Sequence, residues 1–551
     1  MIRRSRLPFA FVLALLLGVA GFLAFHHGQG RLQLASALSE LQSRGVTFEV
    51  DPTPPAPSPA SDTALPDLLT AAESLGATRL QVPMVPSIAP GRIVPATRVE
   101  RWGHPGSQTH SWEDIARWAQ THAGALQSLR DTLNAPRRPS VEDPLDPGPK
   151  LLTRLSASKS AALALGMASL EAARRGDFET AVSDLESMAR IERDLADAPF
   201  LIAQLVHLSV AGTAASRAAS VLHAGDWTEP QLARLQAALP SSDAPEGALL
   251  GLHGDATSMV RALHRLRQWN PGEPSPYAAL DFGTRTHTLH LDGNTEPPRE
   301  PTLFQRAVGR LVLGSVRMAD RIRRIGWHDQ AFARFLLDLE PVILSRQEIL
   351  REGSANRLKE WTADRSTDAP AAPWRRFYSA HVLPGFVESL DKTVAKVLQA
   401  QTQRSLLETR IALERFDRRH ARLPDTLAEL VPDFLASVPI DRMDGQPIRY
   451  RRDTGSGFTL WSVGENGIDH GGDATWDDPN PGTRQWWLAR DGVWPEPADE
   501  NAMADWHRAE AERRTRARVP FQMDEETMRR YGLRAPDGTP APESPVPTPT
   551  Q

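Results

Sequence analysis

Two Ser-x-x-Lys spacings, Ser156-Ala-Ser-Lys159 and Ser389-Leu-Asp-Lys392, come nearest to nucleophilic catalysis in this chain. In an acyl-enzyme the lysine would help activate a serine one helical turn away. That chemistry also needs S-D-N and K-T-G, and neither triplet occurs. Both pairs lie in stretches of helical periodicity, where Ser and Lys three residues apart arise by chance. The patterns G-x-S-x-G, G-x-x-x-x-G-K-[ST] and G-x-G-x-x-G are missing too, so neither a hydrolase elbow nor a nucleotide-binding loop is expected.

Metal chemistry is narrowed by composition. The chain has no Cys, which excludes disulfides, thiolate catalysis, Cys-ligated zinc and iron–sulfur clusters. His104 and His110 stand near Glu113 and Asp114 but lack H-E-x-x-H spacing, and read as cap and turn residues. Glu465, Asp469, Asp473 and Asp477, with Asn466 and Asp478, put hard oxygen donors on a Gly-rich loop, the donor set calcium favours. The spacing of a helix–loop–helix calcium site is absent there, so a self-capped, solvated loop is the simpler reading and calcium the sharper alternative. Asp441 and Asp444 before Gly445 read as a turn in which Asp caps backbone amides. Trp461, Trp476, Trp486, Trp487 and Trp494 cluster in the same region, as local core or as an interface or glycan contact.

These residues must be positioned by a mainly helical chain. Apolar faces at helical spacing predict helices over 112–134, 151–175, 177–195, 200–222, 227–239, 247–268, 302–340 and 384–420, with Ser111 as a cap and Gly176-Asp177 as a turn. The pair around Gly176 is similar to a tetratricopeptide hairpin, but no array follows from one pair. Arg321, Arg323 and Arg324, with Asp320 and Asp329, read as a salt-bridged exposed face. Downstream the period changes: Ile448–Tyr450 and Phe458–Leu460 alternate around Gly455 and Gly457, a β-hairpin signal.

The N-terminus sets the compartment. Arg3, Arg4 and Arg6 precede an uncharged run from Leu7 to Phe25, about 28 Å as a helix, which predicts one uncleaved span with the C-terminal side outside the cytoplasm. Signal-peptide cleavage is the rival reading, because Ala35-Ser36-Ala37 has suitable chemistry but lies far beyond the run. The later apolar stretches at 201–215 and 307–318 are interrupted by polar residues and are not expected to span. Prolines 52, 54, 55, 57 and 59 then predict an extended spacer. With 63 basic and 68 acidic residues, net charge −5, the balance argues against a dedicated nucleic-acid binder.

The order of helix, Leu423-Pro424 turn, Val438-Pro439-x-Asp441 turn, hairpin, then Ser462-x-Gly464-x-Asn466-Gly467 resembles the globular end of type II secretion pseudopilins and other type IV pilin-like proteins, over about 405–475. It also resembles the end of membrane-anchored envelope proteins of Verrucomicrobia and Planctomycetes, a likeness that implies no activity. The pseudopilin resemblance implies that calcium could occupy the loop after the hairpin. Here no prepilin-peptidase site joins the apolar helix to the module, since His26 follows Phe25 and some 380 residues intervene.

The expected fold is therefore mainly α: a transmembrane helix, a helical-hairpin body and a small α+β pilin-like module with a β-hairpin. The expected units are a cytoplasmic tip and anchor (1–30), a proline-rich spacer and irregular segment (31–110), a helical body (111–400), the pilin-like module with its Trp-rich extension (401–498), C-terminal helices (499–534) and a disordered tail (535–551). The expected function is a single-pass inner-membrane, periplasm-facing scaffold or interaction protein. Its partners would be the bilayer through residues 7–25 and an envelope protein, with no nucleic acid or nucleotide. An envelope hydrolase with an unrecognised site and an accessory component of a secretion or pilus-like system are the alternatives.

Overall fold

The computed structural model describes residues 6–44, 70, 72, 75, 85–102, 109–134, 149–196, 198, 200–239, 245, 247–254, 256–257, 260, 327–352, 355–356, 377–381, 383–453, 457–477 and 485–517, without the side chains of 6–16, 149–152, 352, 381, 386, 389, 516 and 517. These residues are mainly helical with small sheets. The expected spacer at 51–61, residues 518–534 of the expected C-terminal helices, the tail at 535–551, and residues 302–326 of the helix expected over 302–340 lie outside them.

Helix α1 (Arg6–Ser43) continues unbroken past the apolar run. Its burial changes along its length. Leu17, Val19, Phe22 and Phe25 are exposed, whereas Leu34, Ala37 and Leu41 are buried at three- and four-residue spacing, one side of a helix. That side packs along a helix from His328 to Glu352. Together with Leu252, Ala256, Val260, Phe332, Phe335, Leu339, Tyr378, Val387 and Leu390 it forms one hydrophobic core.

A second, larger core is built by the body. Trp112–Thr121 (α2) begins at a Ser111–Asp114 capping box, as the sequence leads one to expect. The single helix expected over 112–134 is two: α2 ends at His122, which leaves the helical region at φ −104°, ψ 16°, and α3 runs Ala123–Asn134. Helices α4 (Pro149–Arg174) and α5 (Phe178–Ala196) form the antiparallel hairpin. Gly176 takes φ +80°, which costs a glycine little, and the Asp177 carboxylate accepts the Thr180 N–H at 3.1 Å. Helix α6 (Leu201–Leu222) packs on both, and α7 (Glu229–Ala237) follows from a Thr228–Gln231 capping box.

Three more helices join the cores: α8 (His328–Glu352), α9 (Phe377–His381) and α10 (Leu383–His420). At 1.5 Å per residue α10 is about 57 Å long. Its Val387 and Leu390 belong to the first core, and Val394 through Phe416 to the second. Helix α10 is thus the spine shared by both.

The C-terminal module caps that spine. Strands β1 (Ser87–Ala89), β2 (Arg92–Ile93), β3 (Arg101–Trp102) and β4 (His110–Ser111) come from the N-terminal segment. Strands β5 (Arg449–Arg452) and β6 (Phe458–Ser462) form the expected antiparallel hairpin, with Tyr450 opposite Leu460. Strand β7 (Gly492–Val493) extends it, and β8 (Glu496–Pro497) pairs parallel with β2, tying the two ends of the chain together. Helix α11 (Glu500–Ala517) completes the described chain.

The far end of α8 also holds this module. The Ala355 and Asn356 N–H groups donate to the Arg442 and Met443 carbonyls at 3.1 and 3.2 Å, and Asn356 Nδ2 donates to Gly467 O at 3.2 Å. A Cβ at Gly467 would run into the Asn356 amide.

Among the residues whose side chains are described, which leave out over half of α1's apolar run, one helix, α6, is long and apolar enough to cross a membrane. The residues that interrupt its apolar pattern, Gln204 and His207, are fully buried against α5, so it serves as a core helix of the body.

Candidate functional site

The carboxylates considered as calcium ligands, Glu465, Asp469, Asp473 and Asp477, follow the β5–β6 hairpin, and the fold divides them. Asp469 accepts Trp461 Nε1 at 3.0 Å, the Gly471 N–H at 2.9 Å and Arg449 Nε at 3.3 Å. Asp473 and Asp477 instead meet Arg490, at 3.3 and 2.8 Å, and Asp473 also accepts the Thr475 N–H at 3.0 Å. Glu465 is exposed on the turn before them. The bonds from Thr475 hold Asp473 below its ordinary pKa, with Arg490 adding to them. Burial opposes ionisation at Asp469, but its bond from Trp461 and the nearby Arg449 outweigh it and lower its pKa. Among the described residues no group of three or more His, Asp or Glu side chains is arranged to hold a metal ion.

Two aspartates read at most as turn residues, or not read at all, organise this region. Asp441 is fully buried and accepts the Met443 N–H (3.0 Å), the Val463 N–H (2.9 Å), Ser462 Oγ (3.0 Å) and Arg449 Nη1 (2.8 Å). Burial pushes its carboxyl pKa up, against the pull of the Met443 and Val463 amides. Asp491, also fully buried, accepts the N–H groups of His470, Gly472 and Asp473 at 2.8 to 3.1 Å. Arg449 sits among Asp441, Asp444 and Asp469 and gives each of them a charged hydrogen-bond partner, offsetting part of their negative charge. The clue in the sequence was the pairing of Asp-rich turns with Arg449 and Arg490, which a search for metal ligands passes over.

Beside the module lies a junction between the body and the spine. Arg410 of α10 bonds Glu414 and Glu496, each at 2.9 Å, with its guanidinium 5.3 Å from the Phe458 ring. His223, at the end of α6, stacks near Trp494 at 6.4 Å, and Trp494 meets Trp486 at 6.1 Å. The Trp cluster is thus mainly core: Trp461, Trp487 and Trp494 are buried, and Trp486 is half-buried. Burial pushes the His223 pKa down to about 4, against the attraction of Glu496 and Glu414 and with the repulsion of Arg410.

A depressed histidine pKa has a defined sign. Between about pH 6.5 and 4 the unfolded chain takes up a proton that folded His223 refuses, so stability falls across that window and levels off below it. Two and a half units amount to about 3 kcal/mol. Urea unfolding at pH 7.5 and 4.5 should therefore show a smaller acid loss for His223→Gln than for wild type. Equal losses would remove His223 from the account.

Three His–carboxylate pairs lie among the described residues; His328 and Asp329, 3.5 Å apart, are adjacent and buried at the start of α8, and the other two are built across the fold. His207 Nε2 lies 2.5 Å from Glu192 Oε1, and its Nδ1 lies 3.1 Å from Gln204 Oε1, but all three side chains are sealed between α5 and α6. His470 Nδ1 lies 3.5 Å from Asp491, whose oxygens are already taken by backbone N–H groups. Among the described residues no hydroxyl group is hydrogen-bonded to either imidazole, so neither pair forms a nucleophile–base set. Lys392 of the second Ser-x-x-Lys pattern is engaged by Glu388 at 2.6 Å. The described geometry is one of paired charges, and comparisons with protein-family models, curated proteins and solved structures find no match.

Proposed function

We propose that this is a single-pass membrane-anchored envelope protein acting as a non-catalytic scaffold or interaction protein, with its body and pilin-like C-terminal module on the far side of the inner membrane. The observation that carries the reading is the change of burial along α1. Its Leu17, Val19, Phe22 and Phe25 are bare, while the same helix, without a break, buries one side through Leu34, Ala37 and Leu41. A helix apolar on every side and uncovered by protein is suited to lipid. Basic residues at 3, 4 and 6 orient it with the N-terminus inside.

The expected result is full-length protein that resists carbonate extraction, with a C-terminus digested by protease in spheroplasts. A mature N-terminus beyond residue 25 would remove the anchor, and a protected C-terminus would reverse the orientation.

The pilin-like reading of 405–475 is supported by the order of long helix, Pro-rich turn and paired β5–β6 hairpin. Calcium binding at Glu465, Asp469, Asp473 and Asp477 is the part of that reading least favoured by the geometry, because Arg449 and Arg490 already engage three of the four. Thermal melting of the whole protein should give the same midpoint with calcium as with chelator. A rise of several degrees in calcium would restore the metal.

A further inference from the structure

We infer that the open side of α1 pairs with α1 of a second copy of this chain, making a parallel two-fold dimer with the two bodies on the outside. The inference rests on the anchor reading above and adds what covers the side of α1 that the body leaves bare.

One side of α1 carries the body. Gly30, Leu34, Ala37 and Leu41 are buried there, and Gln330 Nε2 donates to the His26 carbonyl at 3.2 Å. On the opposite side Gly18, Gly21, Phe25, Gly28, Leu32, Ala35 and Ser39 are all exposed. Their spacing alternates three and four residues, the repeat of one helix wound on another. Phe25 and Leu32 stand out from this seam, 62% and 69% exposed, whereas Gly18, Gly21 and Gly28 have open space where a Cβ would lie. Phe25 and Leu32 fall seven residues apart in one row, and Gly21, Gly28 and Ala35 make up the other. A row of small residues lets two helices approach closely and leaves holes beside the two large side chains.

The course of the seam selects the occupant. Lipid can cover it as far as Phe25, but it runs on about 21 Å to Ser39, past the end of the apolar run. A soluble partner would reach only that outer part. Covering both parts takes a helix that leaves the bilayer without a break, and a second α1 does so by identity. The same basic residues orient both copies, so the pair is parallel and in register. Charge agrees with this. From Leu17 to Ser39 the seam and its two flanks hold one charged residue, Arg31. In a parallel pair Arg31 faces Ser36 of the second copy, so no like charges are opposed. Glu40 and Arg44 lie off the seam, where Arg44 bonds Glu40 and, at 2.7 Å, Glu340 of the body.

The test uses full-length protein in isolated membranes. Because the chain lacks Cys, single Cys substitutions can be oxidised with copper phenanthroline to report which positions meet. Ala35→Cys should give a product of twice the chain mass, at least about fivefold more than His27→Cys or Glu40→Cys, which are exposed on either side of the seam. Adding Leu32→Arg to Ala35→Cys should reduce the product to the level of those controls, because two cations would then face each other. Leu32 is exposed, so this change leaves the cores intact. Equal yields at all three positions overturn the pairing, as does a yield that Leu32→Arg leaves unchanged. A product joining Ala35→Cys to a different protein would replace the second copy with another partner. Protein that carbonate extracts from the membrane would instead refute the anchor reading beneath the proposal.

Discussion

Glu192→Ala is expected to lower the unfolding free energy by about 3–5 kcal/mol, the range for removing one member of a buried pair. Glu192 and His207 are each at most 1% exposed, and their side chains are 2.5 Å apart across the α5–α6 contact. Gln204 completes the network: its Nε2 donates to the Ala196 and Ala198 carbonyls, each at 2.8 Å, while its Oε1 faces His207. Truncating Glu192 strands the imidazole in a space that water cannot reach. The double change Glu192→Leu with His207→Leu should recover most of the loss, because two apolar groups leave nothing to satisfy. Denaturant unfolding of wild type, single and double variants measures this directly. A single variant within about 1 kcal/mol of wild type would show that water or rearrangement satisfies the histidine.

Asp441→Ala should cost about 3 kcal/mol or more and act on the C-terminal module. Two backbone N–H groups, one hydroxyl and the Arg449 guanidinium converge on this carboxylate, and each lost buried bond costs roughly 1–3 kcal/mol before relaxation. Asp473→Ala is the control, expected within about 1 kcal/mol because its partner Arg490 is largely exposed. Unfolding curves give the magnitudes, and limited proteolysis across 440–475 gives the location. Equal effects of the two substitutions would remove Asp441 as the organiser of the loop.

The elements with strong local signals were legible in the residues. Gly176-Asp177 marked a turn because only a left-handed backbone joins α4 to α5 so tightly, and glycine adopts it without strain. The switch from helical spacing to alternation at Ile448 marked the β5–β6 pair. The break at His122 was not legible, since residues 112–134 keep an apolar face across it and neither Gly nor Pro stands at the break itself. β8 was hidden for a different reason: a two-residue strand has no period, and its partner β2 lies some four hundred positions earlier.

By itself the sequence determined a mainly helical chain, the absence of thiol chemistry and of the familiar catalytic motifs, and an N-terminal apolar run behind arginines, because composition and short-range periodicity act within a few turns of chain. Only the tertiary structure decided which charges meet. Asp469 went to Arg449, Asp473 and Asp477 to Arg490, and Glu192 to His207, so three of the four candidate calcium ligands became ion-pair partners of arginines. Such pairings depend on strands and helices brought together from distant positions, and their energy exists only where burial removes the competing water.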